Sequence, residues 1–469
     1  MSLFASGCHD ETDKRTMVST IAKKAASSKF ILKLRCKRIL LGLIVTIVTM
    51  APAGIVCAGE ENPLTLRECI DIALKQSPLI KSAELDMAAS AETLKASRGA
   101  LFPKIDVNAS HYTEWSRPVP YIQSEGSTVP PIASQYIYAW GLFLKMPIYE
   151  GGKLTGQVKI SEIDLAIQAS RKAFTIQDIV SNVTNTFNKI LQLKELENAY
   201  TKSVEALERQ TKNTELLLKA GRSAKVELLR IEVQLASERQ NLIRTEETVK
   251  RAKYALAYFM GVDKEQISDI QGRLAADARL KDENIDELIK HRPDILALTQ
   301  KVEQSKAKVD VATGKRYPSI SLVGSYGQKS GADVTDAKMV TEGGIVASIN
   351  VFDGGIISAE IAREKALLHK ADEDLRQARL KAHLEVDNAL SSLREAVSKV
   401  TVSEKAVEQA GESMRIEELK YKTGTGTTTD LLLASSALSL AQANYYQALY
   451  EYNTAMTEFK RATGTIEVE

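Results

Sequence analysis

The segment Glu150-Gly151-Gly152-Lys153 decides how this chain folds, because it recurs 203 residues later (354 − 151) as Asp353-Gly354-Gly355-Ile356. Two prolines of the two copies, Pro78 and Pro293, lie 215 residues apart (293 − 78). Self-similarity at a fixed separation indicates a tandem duplication, so the fold is one unit used twice. Three more pairs keep the first separation: Gly221 with Gly424, Leu228 with Leu431, and Gly261 with Gly464.

Each repeat is expected to hold a shorter helix, a pair of strands and a long helical hairpin. The long helix is indicated by a coiled-coil seam, in which Ile176, Val180, Val183, Phe187 and Ile190 follow spacings of four and three. A glycine commonly follows a helix C-terminus, as Gly221 does here. The predicted bounds are 64–100, 102–149 and 153–260 within repeat 1 (62–261), and 284–314, 317–352 and 356–463 within repeat 2 (284–464), with 262–283 as a connecting segment.

The long helix of each hairpin spans about 100 Å and the returning helix only about half of that. The shorter helix that begins each repeat is long enough to cover the remaining half. Each repeat is therefore expected to form a two-stranded helical rod.

Period-two alternation predicts four strands, two in each repeat. In the first strand the apolar Ile105, Val107 and Ala109 alternate with polar residues. Each strand is about ten residues long, which is the length of a membrane-spanning β-strand. The loops between the strands are predicted at 115–135 and 328–342, and the first is longer. This difference in length explains why the equivalent prolines lie 215 residues apart whereas the equivalent glycines lie 203 residues apart.

Four strands cannot close a barrel, and an open sheet edge is not stable in lipid. If these strands enter a membrane, several chains must each contribute four, so that two chains give eight strands and three give twelve. The helical rods lead to the same conclusion, because a rod with apolar seams on more than one side needs neighbours to cover it.

The charge and composition of the chain limit its function. The formal charge is +2, but residues 1–58 hold nine basic and three acidic residues, so the remainder has a charge of −4 (53 − 57). This balance gives no electrostatic case for nucleic-acid binding. A basic stretch and an apolar run within 1–58 are typical of a signal peptide, here with an over-long n-region, although a membrane anchor is the alternative. Lipidation of Cys57 is not expected, because Val56 stands where a lipid-attachment signal has a small residue.

No catalytic or metal-binding constellation is evident. Only Cys69 follows the signal region, so no internal disulfide is expected. His369 and His383 are 14 residues apart (383 − 369), roughly 21 Å along a helix, which is too far to share a metal. The sequence therefore predicts neither an enzyme nor a bound cofactor.

Several segments resemble the TolC-type outer-membrane efflux proteins, the outer membrane factor family. Residues 147–152 and 351–355 look like the family's strand-to-helix junctions, which here contain Gly151, Gly152, Gly354 and Gly355. Tyr421-Lys422-Thr423-Gly424 followed by Thr429-Asp430-Leu431-Leu432 resembles the turn of the second hairpin. The resemblance covers about residues 62–466, and its strength lies in the order of elements rather than in any single motif.

This resemblance implies a mainly α-helical homotrimer with a twelve-stranded β-barrel in the outer membrane of a Gram-negative-type cell, four strands from each chain. A long α-helical barrel continues it into the periplasm. The implied function is a passive exit duct of a tripartite efflux or type I secretion system. Its partners would be a periplasmic adaptor, an inner-membrane transporter of the RND, ABC or MFS type, and outer-membrane lipid.

A periplasmic coiled-coil adaptor or scaffold without a pore is the alternative function. The strands argue against it, because a soluble scaffold has no need of four membrane-length strands that carry aromatic residues. Membrane fractionation of the mature protein would separate the two functions.

The turns of the two hairpins are the candidate gate. The resemblance implies that Asp430 constricts the channel and that Tyr421 holds the closed aperture through hydrogen bonds. Glu227 stands at the position equivalent to Asp430, so a trimer would place up to six carboxylates near one level and favour cations. Acids in a first helical turn also stabilise the helix dipole, and a tyrosine there can simply pack. Gly426 stands where the family's prototype has a gating arginine, so the same latch cannot form.

Two further groups of residues follow from the resemblance. The first would dock the adaptor at the tips of the hairpins, although their simpler role is to reverse the chain: Ala220, Gly221, Arg222, Thr423, Gly424 and Thr425. The second would lie at the membrane interface: Tyr136, Tyr138 and Trp140. Tyr149 has the opposite parity to Trp140, so the two are not expected to share a face.

Overall fold

The computed structural model describes residues 63–113, 136–267, 269–276, 285–330 and 338–466, all within one structural unit that spans residues 61–469. Side chains are not described at 112–113, 136–138, 329–330 and 338. The expected signal peptide (1–58) and the loop 115–135 lie outside the described residues.

The elements follow the same order in both repeats. Repeat 1 contains α1 (Leu66–Gln76), α2 (Pro78–Gly99), β1 (Lys104–Thr113), β2 (Tyr136–Glu150), α3 (Lys153–Lys219) and α4 (Lys225–Met260). A short 3-10 turn, Lys264–Gln266, follows α4. Repeat 2 contains α5 (Ile285–Lys290), α6 (Pro293–Gly314), β3 (Ser319–Ser330), β4 (Lys338–Ser348), α7 (Ile356–Thr423) and α8 (Thr428–Thr463).

The prediction of one continuous helix before each strand pair was wrong. Ser77 has φ −58° and ψ 122°, and Arg292 has φ −59° and ψ 133°, so neither backbone is helical. Each residue precedes a proline, whose ring disfavours the helical conformation of the residue before it. Pro78 and Pro293 then start new helices at a position where a missing N–H costs nothing.

The predicted bounds of the second strand pair were also wrong. Residues 328–330 and 338–342, expected in the loop, extend β3 and β4, where Gln328 pairs with Met339. Gly343 and Gly344 have no side chains, so they interrupt the alternation of apolar and polar residues in the sequence. The pairing of β4 with β3 nevertheless continues through both glycines. At the other end β4 stops at Ser348, which pairs with Ser319 of β3. The residue before Ser319 is Pro318, which has no N–H with which to extend the ladder.

The helices form side-by-side layers with a fixed order. Near the strands the order is α2–α3–α6–α7, and toward the hairpin turns it is α4–α3–α8–α7, with α4 also touching α8. Asp164 of α3 illustrates the first layer, because it bonds Ser90 of α2 at 3.1 Å and Gln304 of α6 at 3.1 Å. The helices α2, α4 and α7 therefore form the edges of these layers.

The four strands form one antiparallel sheet in the order β1-β2-β3-β4, and its two faces differ in polarity. Residues paired directly across strands share a face. One face is apolar and carries Ile105, Val107, Leu142, Leu144, Met146, Ile320, Leu322, Tyr326 and Ile345. The other face carries Lys104, Asp106, Asn108, Lys145, Ser325 and Glu342.

A β-bulge corrects the expected orientation of Tyr149. The register between β2 and β3 shifts between Pro147 and Tyr149, so that Tyr149 pairs with Ile320. An extra residue in one strand reverses the facing of every residue after it. Tyr149 therefore lies on the same face as Trp140, contrary to the parity counted from the sequence.

The main core lies where α1, α3, α4, α7, α8 and the segment after α4 meet. The predicted seam of α3 is central to it, because Val183, Phe187 and Ile190 are buried. Burial of a side chain of this size stabilises the fold by about 1.5–3 kcal/mol. Desolvation, followed by the nearby charge of Glu68, raises the pKa of the buried Cys69 thiol to about 11, which makes it unreactive.

Among the described residues, no helix combines the length and the apolar character that a membrane crossing requires.

The two strand-to-helix junctions use the same backbone but differ in their surroundings. Gly151 has φ +64° and Gly354 has φ +67°, in the left-handed region that disfavours side chains. A Cβ at Gly151 would collide with the carbonyl oxygen of Gly314, whereas a Cβ at Gly354 would meet nothing within 4 Å.

Replacing Gly151 with alanine is therefore expected to destabilise the protein more than replacing Gly354. The Gly354→Ala variant carries only the left-handed backbone cost, about 1–2 kcal/mol, whereas Gly151→Ala adds a backbone collision. The measurement is the thermal unfolding midpoint of the two purified variants. Equal midpoints would show that the approach to Gly314 does not constrain the junction.

Candidate gate at the hairpin turns

The two hairpin turns are built by left-handed glycines. Gly221 has φ +71°, and the N–H of Arg222 donates to the carbonyl oxygen of Leu217 at 2.8 Å. Gly424 has φ +79°, and the N–H of Thr425 donates to Lys420 in the same way at 3.0 Å. This closing motif satisfies the last carbonyls of each long helix. Ala220 and Thr423, the other predicted tip residues, are the residues immediately before the two glycines.

Asp430 lies in the first turn of α8 and takes part in its N-cap. The hydroxyl of Thr427 donates to Oδ2 of Asp430 at 2.7 Å, and the N–H of Asp430 donates to Thr427 Oγ1 at 3.1 Å. The Asp430 carboxylate is exposed and also helps to raise the pKa of Lys420, after the larger effect of its hydrogen bond to Glu417. Asp430 therefore takes part in the N-cap of α8, and its negative charge acts on Lys420 on the other side of the turn.

Glu227 occupies the equivalent place in α4 but has different contacts. Its Oε1 lies 3.6 Å from Nη1 of Arg230, one helical turn further on. Its Oε2 is buried and has no hydrogen-bond partner among the described residues. The helix α4 has no side-chain N-cap, and Glu227 is the acidic residue in its first turn.

Arg230 joins the two turns, and sequence reasoning missed it. Its Nη1 donates to Oγ1 of Thr429 at 2.8 Å, across from α4 to α8. Thr429 immediately precedes Asp430, so one guanidinium connects the surroundings of both predicted gate acids. The available signal was the helical spacing of three between Glu227 and Arg230, at which opposite charges meet.

Tyr421 makes the second polar contact between the hairpins. Its hydroxyl lies 3.5 Å from Oγ1 of Thr214, a fully buried residue of α3. The side chain of Arg222, in contrast, has no hydrogen bond or ion pair among the described residues. Within the described part of the chain, polar side chains thus link the turns at two points, Arg230 to Thr429 and Tyr421 to Thr214.

The predicted membrane aromatics lie on the strand pair of repeat 1. Trp140 is half exposed on the apolar face, where its indole N–H donates to Oε1 of Gln328 at 3.0 Å. The side chains of Tyr136 and Tyr138 lie outside the described residues. An apolar face that ends in an amphipathic ring is typical of a membrane interface.

The part of the chain that the structure describes contains no cluster of histidine, cysteine and acidic residues that could hold a metal ion. The residues that the geometry brings together are instead neutral hydroxyls, two acids and one arginine. Such a group can form and break hydrogen bonds between helices.

Long helical hairpins with polar contacts at their turns, joined to a two-faced sheet of membrane-length strands, are the features expected of an outer-membrane export channel. Residues 69–262 and 284–465 match the family model described as outer membrane efflux protein. The chain therefore belongs to the outer membrane efflux protein family.

Known proteins agree with this assignment. The chain is 21% identical to the outer membrane protein TolC of Vibrio cholerae over 415 residues, 86% of this chain and 91% of that protein. It is 27% identical to nodulation protein T of Rhizobium leguminosarum bv. trifolii, of which it spans 39%, over 38% of its own length. The crystal structure of the Campylobacter jejuni CmeC outer membrane channel superposes with a TM-score of 0.75 at 20% identity, covering 86% of this chain and 87% of that one.

These findings confirm the fold predicted from the sequence, a duplicated and mainly helical chain of the trimeric outer-membrane channels, with four strands per chain. They also confirm an efflux channel in the outer membrane rather than a scaffold without a pore. The relatives are channel proteins rather than enzymes.

Proposed function

We propose that three copies of this chain close into one duct by pairing the same two edges at every level, and that polar contacts at the hairpin turns hold its narrow end closed. The observation that carries the proposal is the common order of elements. Repeat 1 supplies one edge throughout (β1, α2 and α4), and repeat 2 supplies the other (β4 and α7). A contact between two different edges closes into a ring when each copy is rotated by the same angle.

Exposed apolar side chains on both edges support this pairing. Val233 of α4 is 71% exposed and lies two residues from the buried Ile231 and Leu235. Leu384 of α7 is 59% exposed and likewise lies between the buried Ala382 and Val386. Two residues along a helix correspond to a rotation of about 200°, so both side chains point away from their own layer.

The gate follows from the same ring. Three copies bring up to six carboxylates, from Glu227 and Asp430, to the level of the turns. Rings of acidic side chains favour cations in channels. Tyr421 and Arg230 would hold the hairpins in the narrow arrangement, because their hydrogen bonds span repeat 1 and repeat 2 of the same chain.

The partners are proposed to be a periplasmic adaptor at the tips and an inner-membrane transporter of the RND, ABC or MFS type. The tips present backbone reversals at Gly221 and Gly424, flanked by Ala220 and Arg222 in one turn and by Thr423 and Thr425 in the other. Relatives carry names as different as cobalt-zinc-cadmium resistance protein and pyoverdine export outer membrane protein. A generic duct whose cargo is chosen by its transporter accommodates this variety.

A charged residue at an edge should prevent assembly. Leu384→Glu is expected to reduce the trimer fraction strongly, because three carboxylates would be buried between copies at a cost of several kcal/mol each. Light scattering of the purified protein after size exclusion measures this fraction, and planar-bilayer recordings measure the accompanying pore.

The matched control is Leu440→Glu on α8. Leu440 is 63% exposed, but α8 lies inside the layer rather than at its edge. This variant should remain trimeric and conduct ions. A trimeric Leu384→Glu variant beside a monomeric Leu440→Glu variant would refute the pairing of edges.

A further inference from the structure

We propose that a groove beside the connecting segment binds an anionic amphiphile, a molecule with a carboxylate or phosphate head and an apolar chain. The groove has a volume of about 600 Å³. It lies between the start of α1, the middle of α3, residues 271–273 and the end of α8, and Ile466 lines one end. Binding sites for drug-sized ligands have volumes in this range. The site is remote from the hairpin turns and does not depend on the proposed gate.

The floor of the groove is largely apolar and closely packed, with Thr184 and Asn188 as its polar members on α3. Val180, Phe187 and Leu191 of α3 line it and are buried beneath it. Gly272 lies directly on this floor, because a Cβ there would come within 3.0 Å of Leu191 and 3.2 Å of Phe187. The backbone of the connecting segment therefore follows the floor closely and forms one wall.

The rim of the groove is cationic. Arg67, Arg273 and Lys460 line it, and no acidic side chain does so. None of the three forms an ion pair within the described part of the chain. Their neighbours behave differently, since Lys194 pairs with Asp269 at 2.6 Å and Arg461 pairs with Glu458 at 2.9 Å. Three unpaired cations around an apolar floor match a single anionic group joined to an apolar chain.

The walls are fixed before any ligand enters. Lys194 donates to the carbonyl oxygen of Ile270 at 2.9 Å, and Asn453 of α8 donates to that of Ala275 at 3.2 Å. Nε2 of Gln177 donates to the carbonyl oxygen of Gly464 at 3.2 Å, close in the chain to Ile466 at the end of the groove. A preformed site saves the ordering cost that otherwise opposes binding.

The combination of features selects this class of ligand over others. A neutral apolar molecule would leave the three cations unused, and a cationic amphiphile would be repelled by them. A polar polyanion could pair with the three cations, but it would leave the apolar surface of Phe187 and Leu191 uncovered.

The test uses dodecanoate, dodecanol and dodecyltrimethylammonium as probes on the full chain, purified and reconstituted into nanodiscs of zwitterionic phosphatidylcholine. Equilibrium dialysis measures the affinity of each. Dodecanoate is expected to bind at least about tenfold more tightly than either of the other two, with one site per chain. Equal affinity for dodecanol would overturn the proposal, because the cations would then play no part.

A triple variant, Arg67→Ala with Arg273→Ala and Lys460→Ala, is expected to lose about tenfold or more in affinity for dodecanoate. The control removes three cations of α2 that are exposed and ion-paired elsewhere: Lys81→Ala, Lys95→Ala and Arg98→Ala. The control should bind dodecanoate normally. If the triple variant fails to fold, the comparison of the three probes on the unchanged chain decides alone.

A further experiment distinguishes a free ligand from the chain's own acidic residues as the occupant of the groove. Glu467 and Glu469 follow Ile466 in the sequence and have the required charge. A chain shortened after Ile466 should bind dodecanoate as well as the full chain does. Binding that appears only after this shortening would overturn the proposal in favour of an intramolecular occupant.

Discussion

Replacing Arg230 with alanine is expected to raise the open probability of the channel in planar bilayers by about ten- to a hundredfold. Arg230 is the only described side chain that donates from α4 to Thr429 of α8, at 2.8 Å. The guanidinium is 51% exposed, so its contribution to the closed state is about 0.5–1 kcal/mol per chain. Three copies that open together would lose about 1.5–3 kcal/mol, and each 1.4 kcal/mol corresponds to roughly a factor of ten.

The matched control is Arg222→Ala. Arg222 has the same charge and lies in the turn of the same hairpin, but its side chain has no partner among the described residues. This variant should conduct like the unchanged channel. Thr429→Val removes the acceptor instead and should open the channel to a similar degree as Arg230→Ala.

A double variant tests whether the two contacts act together. Tyr421→Phe removes the hydroxyl that lies 3.5 Å from Thr214, a longer and weaker contact than that of Arg230. We expect a smaller effect for this variant alone and the largest effect when it is combined with Arg230→Ala. An Arg230→Ala channel that stays closed, with Tyr421→Phe open, would make Tyr421 the only latch.

Arg230 and Tyr421 occupy positions at which the repeats have diverged. The residues equivalent to Arg230 and Tyr421 in the other repeat are Leu433 (230 + 203) and Leu218 (421 − 203). Duplication thus accounts for two hairpins that end at one level, whereas divergence at single positions supplies the polar contacts between them. The family's prototype has a gating arginine at the position of Gly426, and here an arginine from the opposite hairpin is found.

Sequence patterns predicted the long helices because their signals are repeated over many turns. The seam from Val183 to Ile190 is continuous, and left-handed glycines such as Gly221 mark the ends. The misjudged boundaries depend on single residues. Ser77 breaks a helix only because Pro78 follows it, and Ser348 ends a strand because its partner follows Pro318.

The parts of the site that sequence could not supply are relations between elements. The bulge at Pro147 changes the face of Tyr149, and no count of parity reveals an extra residue in one strand. The sequence spacing around Arg230 predicts only its contact with Glu227. Its hydrogen bond to Thr429 depends on the packing of α4 against α8 next to the turns. Local pattern predicted where the acids lie, and tertiary packing supplied their partners.

Neutralising the two acids should reduce the cation preference of the channel. Glu227→Gln combined with Asp430→Asn removes up to six carboxylates from one level of the trimer, where fixed charges set the local concentration of ions. We expect the reversal potential in a potassium chloride gradient to move most of the way toward zero. The measurement is best made on the Arg230→Ala background, in which open channels are frequent.

The same experiment separates the two roles that the sequence left open for these acids. Asparagine at position 430 keeps an oxygen that can accept the hydrogen bond from the hydroxyl of Thr427, so the N-cap of α8 should persist. Selectivity should therefore fall while the thermal unfolding midpoint changes little. Glu412→Gln is the control, because Glu412 is ion-paired with Arg415 at 2.7 Å and lies roughly 16 Å along α7 from its turn. An unchanged reversal potential together with a lowered midpoint would assign both acids to helix stabilisation alone.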